Sequence, residues 1–207
     1  MYIPPYFRED RLEVLHEIIR QHSFATLVSQ HEGSLIASHL PFLLDGERNV
    51  LRSHMARPNP QWKELGEREV MVIFQGPHAY ISPSWYETKL AVPTWNYVTV
   101  HAYGAAKVID DESAVRAIVT DTVYQHESGR AEPWPMQLPE EYMSKLLRGI
   151  VGFEIAITRL EGKLKLNQNR SAVDTQGVIA GLLGDGDSAG GELATWMKRA
   201  SSTPTTF

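Results

Sequence analysis

Between Gly76 and Gly104 the chain reads GPHAYISPSWYETKLAVPTWNYVTVHAYG, and no other stretch restricts the fold as tightly. It holds two of the five tryptophans and four of the eight tyrosines. From Pro93 onward the residues alternate. Successive side chains of a strand point to opposite faces, so Pro93, Trp95, Tyr97, Thr99, His101 and Tyr103 share one face, and Thr94, Asn96, Val98, Val100 and Ala102 the other. Indole, phenol and imidazole each bury a ring while keeping a hydrogen-bonding edge. Such a face suits a half-wet core layer, a dimer interface, or the wall of a pocket for a flat ligand.

The rest of the chain limits what can surround that strand. At 207 residues it can bury a sizeable core, as one large domain or as a domain with a small appendage. Hydrophobic content of 43% and charged content of 22% are those of a globular protein in water. The net charge of −5 provides no global positive field to attract nucleic acid. Absence of cysteine excludes disulfides, thiolate metal sites and a cysteine nucleophile, and fits a reducing compartment. No segment reaches membrane-spanning length, and the N-terminal twenty residues lack the pattern of a leader, so a cytoplasmic protein is expected. None of the eight histidines has metal-ligand spacing. The nucleophile elbow, the dinucleotide fingerprint and the phosphate loop are all missing.

In chain order, Pro4 and Pro5 predict an extended arm. Leu12, Leu15, Ile18 and Ile19 predict a helix over Asp10–Gln21 capped by Asp10. Ser23–Ser29 and Leu35–Leu44 read as strands joined by a turn at His31–Ser34, and Asp45-Gly46 leads into a strand at Val50–His54. Arg57–Leu65 reads as a loop opening a short helix. Val70–Phe74 reads as a strand buried on both faces. Asp110 is the expected cap of a helix over Asp111–His126, and Pro139 the first residue of one over Glu140–Leu147. Gly149–Thr158 is a strand pattern that Gly162 would break. Val173–Leu183 and a segment ending near Arg199 are helical, and Ser201–Phe207 is expected to be disordered. Short strands linked by turns and edged by helices favour a mainly β, α+β protein: an antiparallel barrel with helical additions.

Three polar clusters carry the chemistry. Ser38-His39 stands on a strand. Ser53-His54 is followed by Arg57 and Asn59, where a guanidinium fork suits a phosphate. Gln168, Asn169 and Arg170 bunch after the last strand. Cation, amide donors and aromatic walls together are what a phosphorylated planar cofactor requires. Each cluster also has a plain reading, as a solvated surface cation or the end of a turn.

The runs SHLPF (Ser38–Phe42), SHMARPNPQW (Ser53–Trp62), GPHAYISPSWY (Gly76–Tyr86), VPTWNYVTVHAYG (Val92–Gly104), IVGFEIAIT (Ile150–Thr158) and KLNQNR (Lys165–Arg170) occur in one order. Together they resemble the PaiB family of FMN-binding negative transcriptional regulators on the flavin-reductase-like split barrel. The likeness runs from Met1 to about Leu183. It departs at Asn167, where the family has Ser, and at Pro58, where it commonly has Ala.

The resemblance implies an FMN-binding split-barrel domain over residues 1–170, a C-terminal helical extension over 171–200 and a tail over 201–207. It also implies a homodimer with FMN at the subunit interface. Arg57 and Asn59, with Ser53 or His54, would face the phosphate, and Ser38 and His39 would line the ring edge. Trp95, Asn96, Gln168 and Arg170 would complete the pocket, some of them from the second subunit. A transcriptional regulator acting on DNA or through a protein partner is the first function implied. A flavin-dependent oxidoreductase, with His39, His78 or Tyr97 as groups of the right type, is the alternative. A dimeric interaction module without flavin is the third.

Overall fold

In the computed structural model, which describes residues 1–66 and 68–202, all the strands belong to one eight-stranded sheet. They are β1 (Arg8–Glu9), β2 (Phe24–His31), β3 (Ser34–Pro41), β4 (Leu43–Asp45), β5 (Val50–Ala56), β6 (Glu69–Ile81), β7 (Thr94–Ile109) and β8 (Ile150–Lys165). The order across the sheet is β3-β2-β6-β7-β8-β5-β4, with β1 also paired to β8. The fold is the expected antiparallel split barrel with added helices. The helices are α1 (Leu12–Gln21), α2 (Glu112–Glu127), α3 (Glu140–Arg148), α4 (Ala172–Gly184) and α5 (Ser188–Ser202).

Tertiary contacts fall into two compact units. The first comprises residues 16–74 and 101–160. Here β2 and β3 form a hairpin whose turn residues Glu32 and Gly33 have φ of 51° and 79°, the left-handed pair that matches the twist of the flanking strands. Alternation sends Leu27, Leu51, Val72 and Ile155 inward. Phe42 sits edge-on to Phe74 and Phe153, with centroids 5.9 and 6.2 Å apart. A satellite core of Val115, Met143 and Leu147 joins α2 to α3.

The second unit comprises, among the described residues, 1–15, 75–100 and 161–202. Its interior is built from Leu164, Leu166, Val178, Leu182, Leu193, Trp196 and Met197, which pack α4 against α5. A single 3₁₀ turn at Pro83–Trp85 brings Trp85 onto α4.

Several local expectations change. Helix α1 begins at Leu12, and it is the Glu9 carboxylate, not that of Asp10, that accepts the Arg11 N–H at its entrance. The cap of α2 is Asp111, which accepts from the N–H of Ala114, and Pro139 precedes α3 in the capping position. Val70, Val72 and Phe74 are buried, but Met71 and Ile73 are half-exposed, so β6 is not buried on both faces.

Strand β8 runs straight through Gly162. A Cβ there would come within 2.3 Å of Leu15 Cδ2 and 2.7 Å of the Glu9 carbonyl oxygen. The glycine admits β1 to the edge of β8 instead of ending the strand. Ser201 and Ser202 finish α5, and residues 203–207 of the expected tail lie outside the described residues.

Close approach also governs α4. A Cβ on Gly177 would meet the Trp85 carbonyl oxygen at 2.1 Å, and one on Gly181 would enter the Trp85 indole at 2.3 Å. In an exposed helix Gly→Ala stabilises by about 1 kcal/mol. Here the sign reverses: Gly177→Ala should destabilise by about 1–3 kcal/mol, as overpacking does, seen as a lower urea midpoint with an unchanged m-value. A raised midpoint would refute the close packing of α4 on the Pro83–Trp85 turn.

Candidate functional site

The expected site residues divide between the two units. Ser38, His39, Ser53, His54, Arg57 and Asn59 lie in the first, and Trp95, Asn96, Gln168 and Arg170 in the second.

In the first unit the polar residues are tied to one another. After β5, Asn59 caps the 3₁₀ turn at Pro60–Glu64, its Oδ1 accepting from the Gln61 N–H at 3.0 Å. Its Nδ2 donates to Ser38 Oγ on β3 at 2.8 Å. Gln61 is fully buried, and its Nε2 reaches Ser29 Oγ at 3.0 Å and the carbonyls of Leu27 and Ile36. That amide locks the turn onto the β2–β3 hairpin.

Ser53 donates to the Pro41 carbonyl at 2.6 Å, and His39 Nδ1 lies 2.9 Å from Thr26 Oγ1. Burial pushes the His54 imidazole below its ordinary 6.5, and its Nδ1 has no hydrogen-bond partner among the described residues. Arg57 is not an unengaged surface cation. Its Nε donates to the Arg148 carbonyl and Nη2 to the Ile150 carbonyl, both at 2.7 Å, which leaves Nη1 for another acceptor.

In the second unit the aromatic strand meets a cationic one. Trp95 is 53% exposed, with His78 and Tyr80 at centroid distances of 6.2 and 6.1 Å. On the opposite face of β7, buried Asn96 donates from Nδ2 to Asn167 Oδ1 at 3.0 Å. The other half of each amide, Asn96 Oδ1 and Asn167 Nδ2, lacks a partner among the described residues. Asn167 holds φ of 67°, a left-handed conformation that asparagine tolerates.

Gln168 folds back on its own turn, accepting from the Leu166 N–H and donating to the Leu164 carbonyl. It therefore shapes the turn, with one N–H and one lone pair of the amide left over. Lys165 donates to Thr94 Oγ1 and to the Trp95 carbonyl. Burial, then the charges of Lys163 and Arg170, push Lys165 below its ordinary 10.5. Lys163 donates to the Tyr2 carbonyl, and Arg170 lies 5.0 Å from the Tyr86 ring centroid. Among the described residues, no carboxylate pairs with any of the three cations.

FMN presents an apolar tricycle, a polar pyrimidine edge carrying both donors and acceptors, and a phosphate dianion. Aromatic rings, an unpartnered amide donor and acceptor, and three uncompensated cations match those parts in kind.

Comparison with known proteins agrees. A family model described as "Putative FMN-binding domain" matches residues 1–159. The chain belongs to that family. It is an FMN-binding protein of the PaiB type. It is 37% identical over 203 residues to "Protease synthase and sporulation protein PAI 2" of Bacillus subtilis, covering 96% of this chain and 97% of that protein. An uncharacterised Emericella nidulans protein is 32% identical over 242 aligned positions, with 96% of each chain covered.

Among solved structures, the flavocytochrome Anf3 of Azotobacter vinelandii matches with a TM-score of 0.65 at 14% identity, over 79% of this chain and 72% of that one. A FAD- and heme-binding protein of Mycobacterium smegmatis gives 0.62 at 17%, over 82% and 78%. At such identities these two show the shared fold. Among the described residues no helix is long and apolar enough to cross a membrane.

The sequence reading passed over Asp174. Buried on α4, its carboxylate accepts from the Glu87 N–H, the Thr88 N–H and Thr88 Oγ1, and so holds the loop after the aromatic turn. The one local signal is Ser171, three residues earlier, whose hydroxyl caps the Asp174 N–H.

Thr88 hydrogen bonds foremost hold the Asp174 carboxyl below its ordinary 3.8. A depressed folded pKa contributes stability above 3.8 that is lost as pH falls below it. Asp174→Asn should therefore be less stable than wild type at neutral pH, with the gap in urea midpoints closing as pH drops through 3.8. A gap independent of pH would exclude an ionised, hydrogen-bonded Asp174.

Proposed function

We propose that the chain is a cytoplasmic, homodimeric regulator of the PaiB type whose state is set by FMN at the subunit interface. The observation that carries the reading is the uncompensated trio Lys163, Lys165 and Arg170 beside the half-exposed Trp95. Three cations that have no counter-ion among the described residues, Lys163 of them buried, favour a dianion nearby, and an exposed indole on a strand is poised for a flat ring.

From the other group, Arg57 Nη1 and the Asn59–Ser38 pair face the phosphate, supported by Ser53. His39 and the neutral His54 lie along the ring edge. Asn96 supplies an amide oxygen that lacks a partner among the described residues. Gln168 acts by holding the turn in place. In a homodimer the two groups of residues need not come from one chain.

A regulatory role is supported by the end-to-end likeness to the Bacillus subtilis sporulation protein. The net charge of −5 favours action through a protein partner over a broad DNA-binding face.

The test is an FMN titration of the flavin-free protein. Wild type should bind one FMN per subunit, with flavin fluorescence quenched by Trp95. Trp95→Ala, at an exposed position, should keep its circular dichroism, lose the quenching and bind FMN roughly tenfold more weakly, a loss of one stacked ring. Unaltered affinity and quenching would remove Trp95 from the site. Steady turnover of reduced nicotinamide by the loaded protein would replace the regulator with an oxidoreductase.

A further inference from the structure

The end of β8 and helices α4 and α5 enclose a cleft of about 510 Å³ that lies outside the 1–159 segment matched to the FMN-binding family. Its polar lining comes chiefly from Asn167, Arg170, Thr175, Gln176 and Lys198. None of the described residues lining it is Asp or Glu, and neither Arg170 nor Lys198 has an ion pair within the described residues. The Asp174 carboxylate, on the same helix, is occupied by Glu87 and Thr88.

One further detail favours negative charge in the cleft. Asn167 is only 4% exposed, and its Nδ2 is a donor without an acceptor among the described residues.

We propose that this cleft binds a small organic anion through a phosphate or carboxylate group held by Arg170, Lys198 and Asn167 Nδ2. Two like charges lining one cleft raise each other's energy, and an anion between them relieves that while satisfying the buried amide. A volume of this order is that of a small-molecule site. The proposal goes beyond the flavin reading, with which it shares Arg170. Lys198, Thr175 and Gln176 belong to the cleft alone.

The phosphate recognised belongs either to FMN itself or to a separate effector, and a titration separates the two. Full-length ¹⁵N-labelled protein is titrated with inorganic phosphate at constant ionic strength, first free of flavin and then saturated with FMN. Saturable shifts of the Asn167 side-chain amide and of backbone amides in residues 166–202 are expected in both states. Lys198→Met, at an exposed position, should weaken phosphate roughly tenfold, and Lys198→Arg should preserve it. Linear, unsaturable shifts would overturn the site, as would a Lys198→Met titration identical to wild type. Shifts produced by FMN but not by phosphate would assign the cleft to the flavin and overturn an independent effector. Failure to bind FMN with the phosphate shifts intact would remove the flavin reading alone.

Discussion

A strand in the middle of a sheet must find hydrogen-bond partners along both of its edges, and the sixteen residues of β8 meet that demand with β7, β5 and β1. Much of the rest follows from the pairing. Against β5 the register sets Ser53 opposite Phe153 and His54 opposite Gly152, which fixes the faces on which those polar residues stand. At the other end, Lys163 lies opposite Arg8, and the strand runs out into the turn where Asn167 takes a left-handed conformation and Gln168 closes back on the chain. Lysines there are held by backbone carbonyls and, among the described residues, by no carboxylate, so the positive charge on this edge is not cancelled locally.

What was legible in the sequence was local or periodic. The alternation from Pro93 to Tyr103 separates buried Asn96, Val98, Val100 and Ala102 from the wetter aromatic face, with Thr99 the exception that is buried on it. The left-handed turn at Glu32-Gly33 and the short helix after Asn59 were signalled by composition a few residues wide. The cluster Ser53–Gln61 was visible as a group because its members are close in sequence as well as in space.

What was not legible depended on distance along the chain. Gly162 signalled a break when read by itself, because nothing nearby shows that β1 will pack against it. Asp174 could not be matched with Thr88, 86 residues away, nor Asn96 with Asn167, 71 residues away. For Gln168 the two hydrogen bonds within its own turn span at most four residues, yet residue type alone does not signal them. Arg57 lies between these cases, since a guanidinium carries five N–H donors and can brace the α3–β8 connection while still offering Nη1.

The paired glycines of α4 bear on the order in which the protein is assembled. A thirteen-residue helix carrying glycine at 177, 181 and 184 has little tendency to form alone in water. Helix α5 follows directly and packs on it, but Trp85 lies some ninety residues upstream, so that contact forms only after a long loop has closed. Helix α4 is therefore contingent structure, dependent on docking against its neighbours. The charged cleft, whose lining runs only from Leu166 to Ser202, is tied to the rest of the chain through the two glycines that seat α4 on Trp85.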